Sequence, residues 1–365
     1  MIITGFDIFK YHIPFKRAIQ IKNLKLFHRE GLIVALRNNH DNVGYGEIAP
    51  LPGMHKESIA DCVLQLKDTH KKLLNTTILS CIRNLDEIIP TESLLPAVQY
   101  GLEAALLNMM AQNQNVHLCD LLSKKYKKKI LVNALLSGDS DLVIFELKRH
   151  LSLGYRVLKL KVGKNNLEDD IALVSQVVKL IDAKAVLRLD ANRSWNLNQA
   201  VEFLRAISPE KIDYLEEPLI DPGLLSELYQ LTRTPLALDE SVADTSAAEL
   251  NFPKGVKVII IKPSLIGCIK KIRKYIAVAD DQGIAVVFSD TFHSSIGLIY
   301  NACLAASLSN KDIAMGFDTL QWLSKDILKN GIEIEAGTVD ILKIGQKDRT
   351  PDFSILEKIE LLSIL

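Results

Sequence analysis

What the chain lacks narrows it first. No apolar run approaches the roughly 18 residues that a membrane-spanning helix requires. The opening MIITGFDIFKYHIPF alternates like a strand, where a secretory leader would show a charged stretch and then an apolar one, so neither a span nor a leader is expected. Neither sign of charge is in excess: 44 Lys plus Arg face 44 Asp plus Glu. That balance excludes the basic footprint of a nucleic-acid or anionic-membrane binder and leaves a small molecule as the expected partner. The five cysteines, Cys62, Cys81, Cys119, Cys268 and Cys303, are an odd number with no CxxC or metal-ligand spacing. Reduced thiols packed in a cytoplasmic protein are the expectation. After the first strand of the βα region LSGDSDL carries a single glycine, with no Gly-rich phosphate loop, which argues against an open dinucleotide-binding sheet.

With 365 residues the chain is long enough for one large α/β domain and a smaller one. From Met1 to about Leu51 the pattern is strand-like, around Ile3 to Ile8, Leu24 to Phe27 and Leu32 to Leu36, followed by the turn-rich NNHDNVGYG. The Gly- and Pro-rich GEIAPLPGMHKES reads as an ordered loop, and helical periodicity follows in Ile59 to Leu74 and Leu94 to Met110. Residues 1–125 therefore read as an α+β unit. KKYKKK, Lys124 to Lys129, reads as a solvated linker at its boundary. Beyond Ile130, short β-branched runs alternate with helical segments: ILVNALL, YRVLKLKVG, AVLRLDAN, IDYLEEP, PLALDE, VKVIIIKPS, IAVVFSD and IAMGFD. Eight such strands in βα alternation predict a parallel barrel over residues 126–330.

A polar residue stands at or near the C-terminal end of seven of these runs: Lys161, Asp190, Glu216, Asp239, Lys262, Ser289 and Asp318, successive members 23 to 29 positions apart. In a barrel they converge on one rim, where active sites are built. Asp190, Glu216 and Asp239 are carboxylates on three consecutive strands. Buried together they repel one another unless a cation joins them, and an all-oxygen set suits Mg²⁺, with Mn²⁺ second. Glu217 rivals Glu216, because a shift of one residue changes the face. Lys159 and Lys161 share a strand face, and Lys262 follows the metal strands. Side by side on a core face, two ammonium groups are expected to lower each other's pKa, which suits a base. Lysines on both sides of a bound carboxylate and its cation suit proton abstraction at the α-carbon, with the cation offsetting the enolate charge.

The motifs LKLKVG, RLDANRSW, YLEEP, LDES, VIIIKPSLIG, SSIGL and GFDTLQW, in this order, resemble the enolase superfamily in its muconate lactonizing enzyme subgroup, most narrowly the o-succinylbenzoate synthase family. The resemblance covers nearly the whole chain. It implies a modified (β/α)7β TIM-type barrel, an N-terminal α+β capping domain and a C-terminal segment, residues 331–365, returning to the cap. It implies Asp190, Glu216 and Asp239 as ligands of Mg²⁺ or Mn²⁺ and Lys161 as the base that removes a proton and then assists loss of hydroxide. Lys159 would act electrostatically, and Lys262 would hold the planar intermediate through a cation–π contact of about 0.5 to 2 kcal/mol. The implied reaction converts 2-succinyl-6-hydroxy-2,4-cyclohexadiene-1-carboxylate to o-succinylbenzoate, a step of menaquinone biosynthesis.

For the substrate, the expected residues are Arg188, Asn192, Ser289, Ser294, Gly316 and Asp318, with Ser295 beside them. Arg188 has an equal alternative as a salt bridge inside the barrel. Asp290 and His293 depart from the family's serine-richer pattern, and His293 is expected as a pocket wall. The loop Pro52 to His55 matches the family's mobile capping loop. The competing activity is N-succinylamino acid racemization or dipeptide epimerization with Lys161 and Lys262 as opposed acid/base groups. Against dipeptide epimerization, GFDTL lacks a DxD for a substrate ammonium. A barrel that only binds carboxylates is the non-enzymatic alternative.

Overall fold

The computed structural model describes residues 1–78, 85–89, 93–164, 166–181, 185–207, 209–346 and 349–360. Cys81 lies outside them. The chain opens with β1 (Ile3–Ile21), β2 (Leu24–Asn38) and β3 (Val43–Ile48), an antiparallel meander. The two runs expected at Leu24 and Leu32 are one strand, and β1 extends past Ile8 by accommodating Pro14 at a register shift between Pro14 and Ile19. NNHDNVGYG is not all turn, because β3 begins at Val43. Its glycines serve packing: a Cβ on Gly44 would lie 1.9 Å from the Ala105 carbonyl oxygen, and one on Gly46 would lie 1.9 Å from that of Gly101. Helix Pro96–Gln114, with its proline in the first turn, packs directly against β3 and is buried along most of its length.

Seven parallel strands follow in chain order after the short β4 (Lys129–Leu131): β5 (Ala134–Leu136), β6 (Val157–Lys161), β7 (Val186–Asp190), β8 (Ile212–Glu216), β9 (Leu236–Leu238), β10 (Val256–Ile261) and β11 (Ala285–Phe288). The eighth run closes the ring by single bridges, Gly316 to Ser289 beyond β11 and Met315 to Val132 ahead of β5. The Gly316 amide donates to the Phe288 carbonyl at 2.8 Å, and the Met315 amide to that of Leu131 at 2.7 Å. This is a modified TIM-type barrel with a capping domain.

The C-terminal segment touches both units. β12 (Thr338–Asp340) pairs with β4, and β13 (Glu357–Lys358) pairs with β1. Buried polar residues join cap to barrel. Glu47 of β3 accepts bonds from the Ser294 amide at 3.0 Å, the Ser294 hydroxyl at 2.6 Å and the Gly297 amide at 2.9 Å, at the start of helix Ser295–Leu308. Arg29 of β2 donates to the carbonyls of Phe292 at 2.9 Å, Thr291 at 3.2 Å and Pro50 at 3.2 Å, and to that of Ala49. Among the described residues no helix is long and apolar enough to cross a membrane.

Candidate active site

Strand register sets the geometry. Lys161 is the partner of Asp190 across β6 and β7, and Asp190 is the partner of Glu216 across β7 and β8. Three charged side chains thus stand side by side on one rim, because each ends its strand in register with the next. Asp239 directly follows β9, and Lys262 directly follows β10. Asp190 and Glu216 are fully buried and Asp239 is 5% exposed.

The lysines fold onto these carboxylates. Lys159 Nζ lies 2.8 Å from Asp190 Oδ2 and 2.7 Å from Glu216 Oε1. Lys161 Nζ lies 2.6 Å from Asp190 Oδ2 and donates to Asn192 Oδ1 at 2.7 Å. Lys262 pairs with Asp239. Burial alone would lower the ammonium of Lys159, but Asp190 and Glu216 outweigh it and hold the group well above the ordinary lysine range. Burial likewise acts against Lys262, and Asp239 reverses it. The expected depression of paired lysines is therefore overturned for Lys159: opposite charges sit closer than the like charge on which that expectation rested.

Burial, and then the neighbouring Asp190, push the Glu216 carboxyl well above its usual range against the pull of Lys159. Burial resists ionisation of Asp190 too, but two lysines hold its carboxyl well below that range. Glu216 Oε2 is buried without a hydrogen-bond partner, as is Glu240 Oε2. Glu240 follows Asp239 and accepts from Asn192 Nδ2 at 2.8 Å. Burial, then Asp239 and Asp190, raise its carboxyl as well. Orphaned carboxylate oxygens beside mutually repelling carboxylates are the donor set that a hard divalent cation satisfies, so the residues present fit one. Glu240 escaped the sequence reading; the available signal was its place directly after Asp239 in LDES.

Glu216 and Glu217 separate. The backbone at Glu217 turns to φ 40°, and its carboxylate accepts from the Asp239 amide at 2.9 Å, the Ser241 amide at 2.7 Å and Arg193 Nε at 3.0 Å. It braces the loop that carries Asp239. Asn192 and Arg193 also adopt positive φ, 45° and 59°. Such strained non-glycine backbone persists only where its surroundings fix it.

Of the residues expected at the substrate, Asn192 stands beside Lys161, while Ser289 and Gly316 are paired neighbours at the closing strand. Three others face elsewhere. Arg188 is buried inside the barrel, where it bonds Asp213 at 2.9 Å, the Ala314 carbonyl at 2.7 Å and Asn133 at 3.2 Å. It realises the salt-bridge alternative. Ser294 caps its helix and binds Glu47. Asp318 accepts from Tyr155 at 3.1 Å, the Leu135 amide at 3.3 Å and Gln321 at 2.5 Å. Ser295 is likewise internal, its hydroxyl accepting from the Ile332 amide at 3.0 Å.

His293 lines no open wall: it is fully buried, with Nδ1 2.6 Å from Asp290 Oδ1 and its ring 5.3 Å from that of Tyr100. Just before the capping loop Arg29 holds the Ala49 and Pro50 carbonyls, and within the loop His55 Nδ1 accepts from the Leu51 amide at 2.9 Å. Burial, aided by Arg29 and His293, pushes the His55 pKa down to about 3. Arg29 and Glu47 were missed because a charged residue in a strand carries no sequence mark of a partner more than 200 positions away.

Residues 144–345 match the family model described as enolase C-terminal domain-like, and residues 3–109 match that described as MenC, N-terminal domain. The chain is 31% identical to an o-succinylbenzoate synthase of Pasteurella multocida (strain Pm70), over 90% of this chain and 92% of that protein. It is 29% identical to protein PHYLLO, chloroplastic, of Arabidopsis thaliana, over 91% of this chain but only 22% of that longer protein. Among solved structures, a dipeptide epimerase from Enterococcus faecalis V583, complexed with Mg and the dipeptide L-Leu-L-Tyr, superposes with a TM-score of 0.83 over 93% of this chain and 97% of that one. Its identity of 24% makes this a likeness of fold. The chain belongs to the enolase superfamily of enzymes and, within it, to the o-succinylbenzoate synthase family.

Proposed function

We propose that this enzyme dehydrates 2-succinyl-6-hydroxy-2,4-cyclohexadiene-1-carboxylate to o-succinylbenzoate, in the cytoplasm, as a step of menaquinone biosynthesis. The observation that carries the reading is the in-register row Lys161, Asp190 and Glu216, with Lys262 on the other side of the carboxylates. The name of the o-succinylbenzoate synthase relatives supports the product. Asp190, Glu216 and Asp239 would hold a divalent cation, Mg²⁺ or Mn²⁺, with Glu240 adjacent. Such a cation supplies positive charge that offsets the negative charge developing on the substrate carboxylate.

The chain's own groups do the rest. Lys161 Nζ, as the free amine, takes the proton from the α-carbon and becomes an ammonium. It then gives that proton to the departing 6-hydroxyl, which leaves as water while the ring becomes aromatic. One proton is taken and returned, so Lys161 is regenerated. Lys159, held charged by Asp190 and Glu216, contributes positive charge without leaving its carboxylates. Lys262 faces the planar intermediate from the opposite side. Asn192 positions Lys161 through its 2.7 Å contact. Residues 1–125 act as the cap, 126–330 as the barrel and 331–365 as the returning segment. The four described cysteines are buried free thiols, in keeping with a reducing compartment.

The test is a side-by-side assay with Mg²⁺ of dehydration of the cyclohexadiene carboxylate and of racemization of N-succinylamino acids. Dehydration that disappears on chelation and returns with Mg²⁺ or Mn²⁺ supports the proposal. Racemization without dehydration would overturn it, and dehydration undiminished after exhaustive chelation would remove the cation.

A further inference from the structure

A second cluster of ligating side chains lies away from the rim, where the last helix of the cap meets the last barrel helix. His117, Cys119 and Cys303 each present one ligand atom, and these atoms all lie within 4.8 Å of one another. Cys119 and Cys303 are fully buried, one on helix Leu118–Leu122 and the other on helix Ser295–Leu308. Cys119 Sγ points at the Cys303 carbonyl, 3.8 Å away. Residues from distant parts of the chain thus converge, and none of them is used by the chemistry at the rim.

We propose that His117, Cys119 and Cys303 form a binding site for a soft divalent cation of the Zn²⁺ class. The donor set is the first argument. Two sulfurs and an imidazole are a Zn²⁺ ligand set, whereas the rim offers only oxygens and selects a hard ion. The fixed imidazole is the second. His117 Nε2 lies 3.1 Å from the Ile341 carbonyl. A carbonyl can only accept, so Nε2 carries the proton and the lone pair is on Nδ1, the nitrogen facing the Cys119 amide at 3.1 Å. Carbonyl bonding of the distal nitrogen is how metal-bound histidines are oriented. The ring is also held in place by Tyr126, stacked at 5.7 Å, and by Gly345, where a Cβ would lie 2.1 Å from the imidazole.

A fourth donor is at hand. Ser307 Oγ is buried against the Cys119 thiol, within reach of its sulfur. Contact with Cys119 holds the Cys303 thiol below its ordinary range despite burial, and Arg349 adds to this. The same contact, with burial, pushes Cys119 up. On binding, both sulfurs lose their protons to solvent and Nδ1 exchanges the Cys119 N–H for the cation, so affinity rises with pH. The bound ion would tie the last helix of the cap to the last barrel helix and orient the carbonyl of the C-terminal segment.

The experiment uses the full chain, stripped of metal and returned to excess Mg²⁺, then titrated with Co²⁺ as a spectroscopic stand-in for Zn²⁺. The expected result is a sulfur-to-cobalt charge-transfer band that saturates at one equivalent and is bleached by Zn²⁺. Cobalt at the oxygen-only rim gives no such band. Cys303→Ala and Cys119→Ser abolish it, while Cys62→Ala, outside the cluster, keeps it. Absence of the band in the wild-type chain, or a band undiminished in Cys303→Ala, overturns the proposal. The wild-type titration decides by itself if a variant does not fold.

Discussion

Replacing Glu216 and Glu217 by glutamine, one at a time, should give opposite results although the residues are adjacent. Glu217→Gln keeps a carbonyl oxygen for the Asp239 and Ser241 amides, but the new NH2 then faces Arg193 Nε. The charge-assisted bond at 3.0 Å is lost, and bonds of that kind are worth about 1.5 to 3 kcal/mol. Arg193 is 28% exposed and keeps Asp244 at 3.0 Å, so water offsets part of the loss and we expect about 2 kcal/mol of destabilisation. Metal affinity should fall only about tenfold, the lower end for a residue that supports a ligand.

Glu216→Gln would instead remove a buried carboxyl whose ionisation burial, Asp190 and Asp239 oppose and whose Oε2 has no partner. Lys159 retains Asp190 at 2.8 Å. Stability without metal should be unchanged or rise by up to about 2 kcal/mol, while metal affinity falls more than about a hundredfold. Urea denaturation in chelator gives the stability, and calorimetric titration with Mn²⁺ gives the affinity. Equal destabilisation by both variants in chelator, or loss of metal by Glu217→Gln as complete as by Glu216→Gln, would refute this division into ligand and brace.

Lys161→Ala should abolish dehydration and also deuterium exchange at the substrate α-carbon, followed by NMR; exchange at the wild-type rate would remove Lys161 as the base. Gly46→Ala places a Cβ 1.9 Å from the Gly101 carbonyl oxygen, a backbone atom that cannot turn aside, so a loss of about 3 kcal/mol or more is expected in the denaturation midpoint. His55 titrates near 3 in the folded protein and near 6.5 unfolded. The unfolded chain therefore takes up the proton first, and stability due to neutral His55 is present above about pH 6.5 and lost as pH falls toward 3. His55→Gln should shallow the fall in denaturation midpoint over that window; an unchanged slope would show that other groups govern it.

The barrel strands and rim positions were legible because they are local properties: apolar runs of a few residues, each ended by a polar group, recurring at the length of one βα unit. The same periodicity placed Lys159 and Lys161 on one face. It could not choose between Glu216 and Glu217 by phase, and the family resemblance favoured Glu216 before the geometry separated the two side chains. NNHDNVGYG read as a turn because glycine interrupts strands, yet Gly44 and Gly46 admit a helix more than 50 residues later in the chain.

Local sequence thus determined the order of elements, the in-phase rim and the class of chemistry, since strand period and side-chain type are carried by neighbouring residues. Tertiary structure alone decided the rest. It raised the pKa of Lys159 where a lysine pair suggested lowering, turned Arg188, Ser294 and Asp318 inward, fastened the cap through Arg29 and Glu47, and added Glu240 to the rim. Each of these depends on which charges and donors meet after folding, and an electrostatic interaction is set by the distance between groups and the water excluded around them, neither of which is a property of a stretch of sequence.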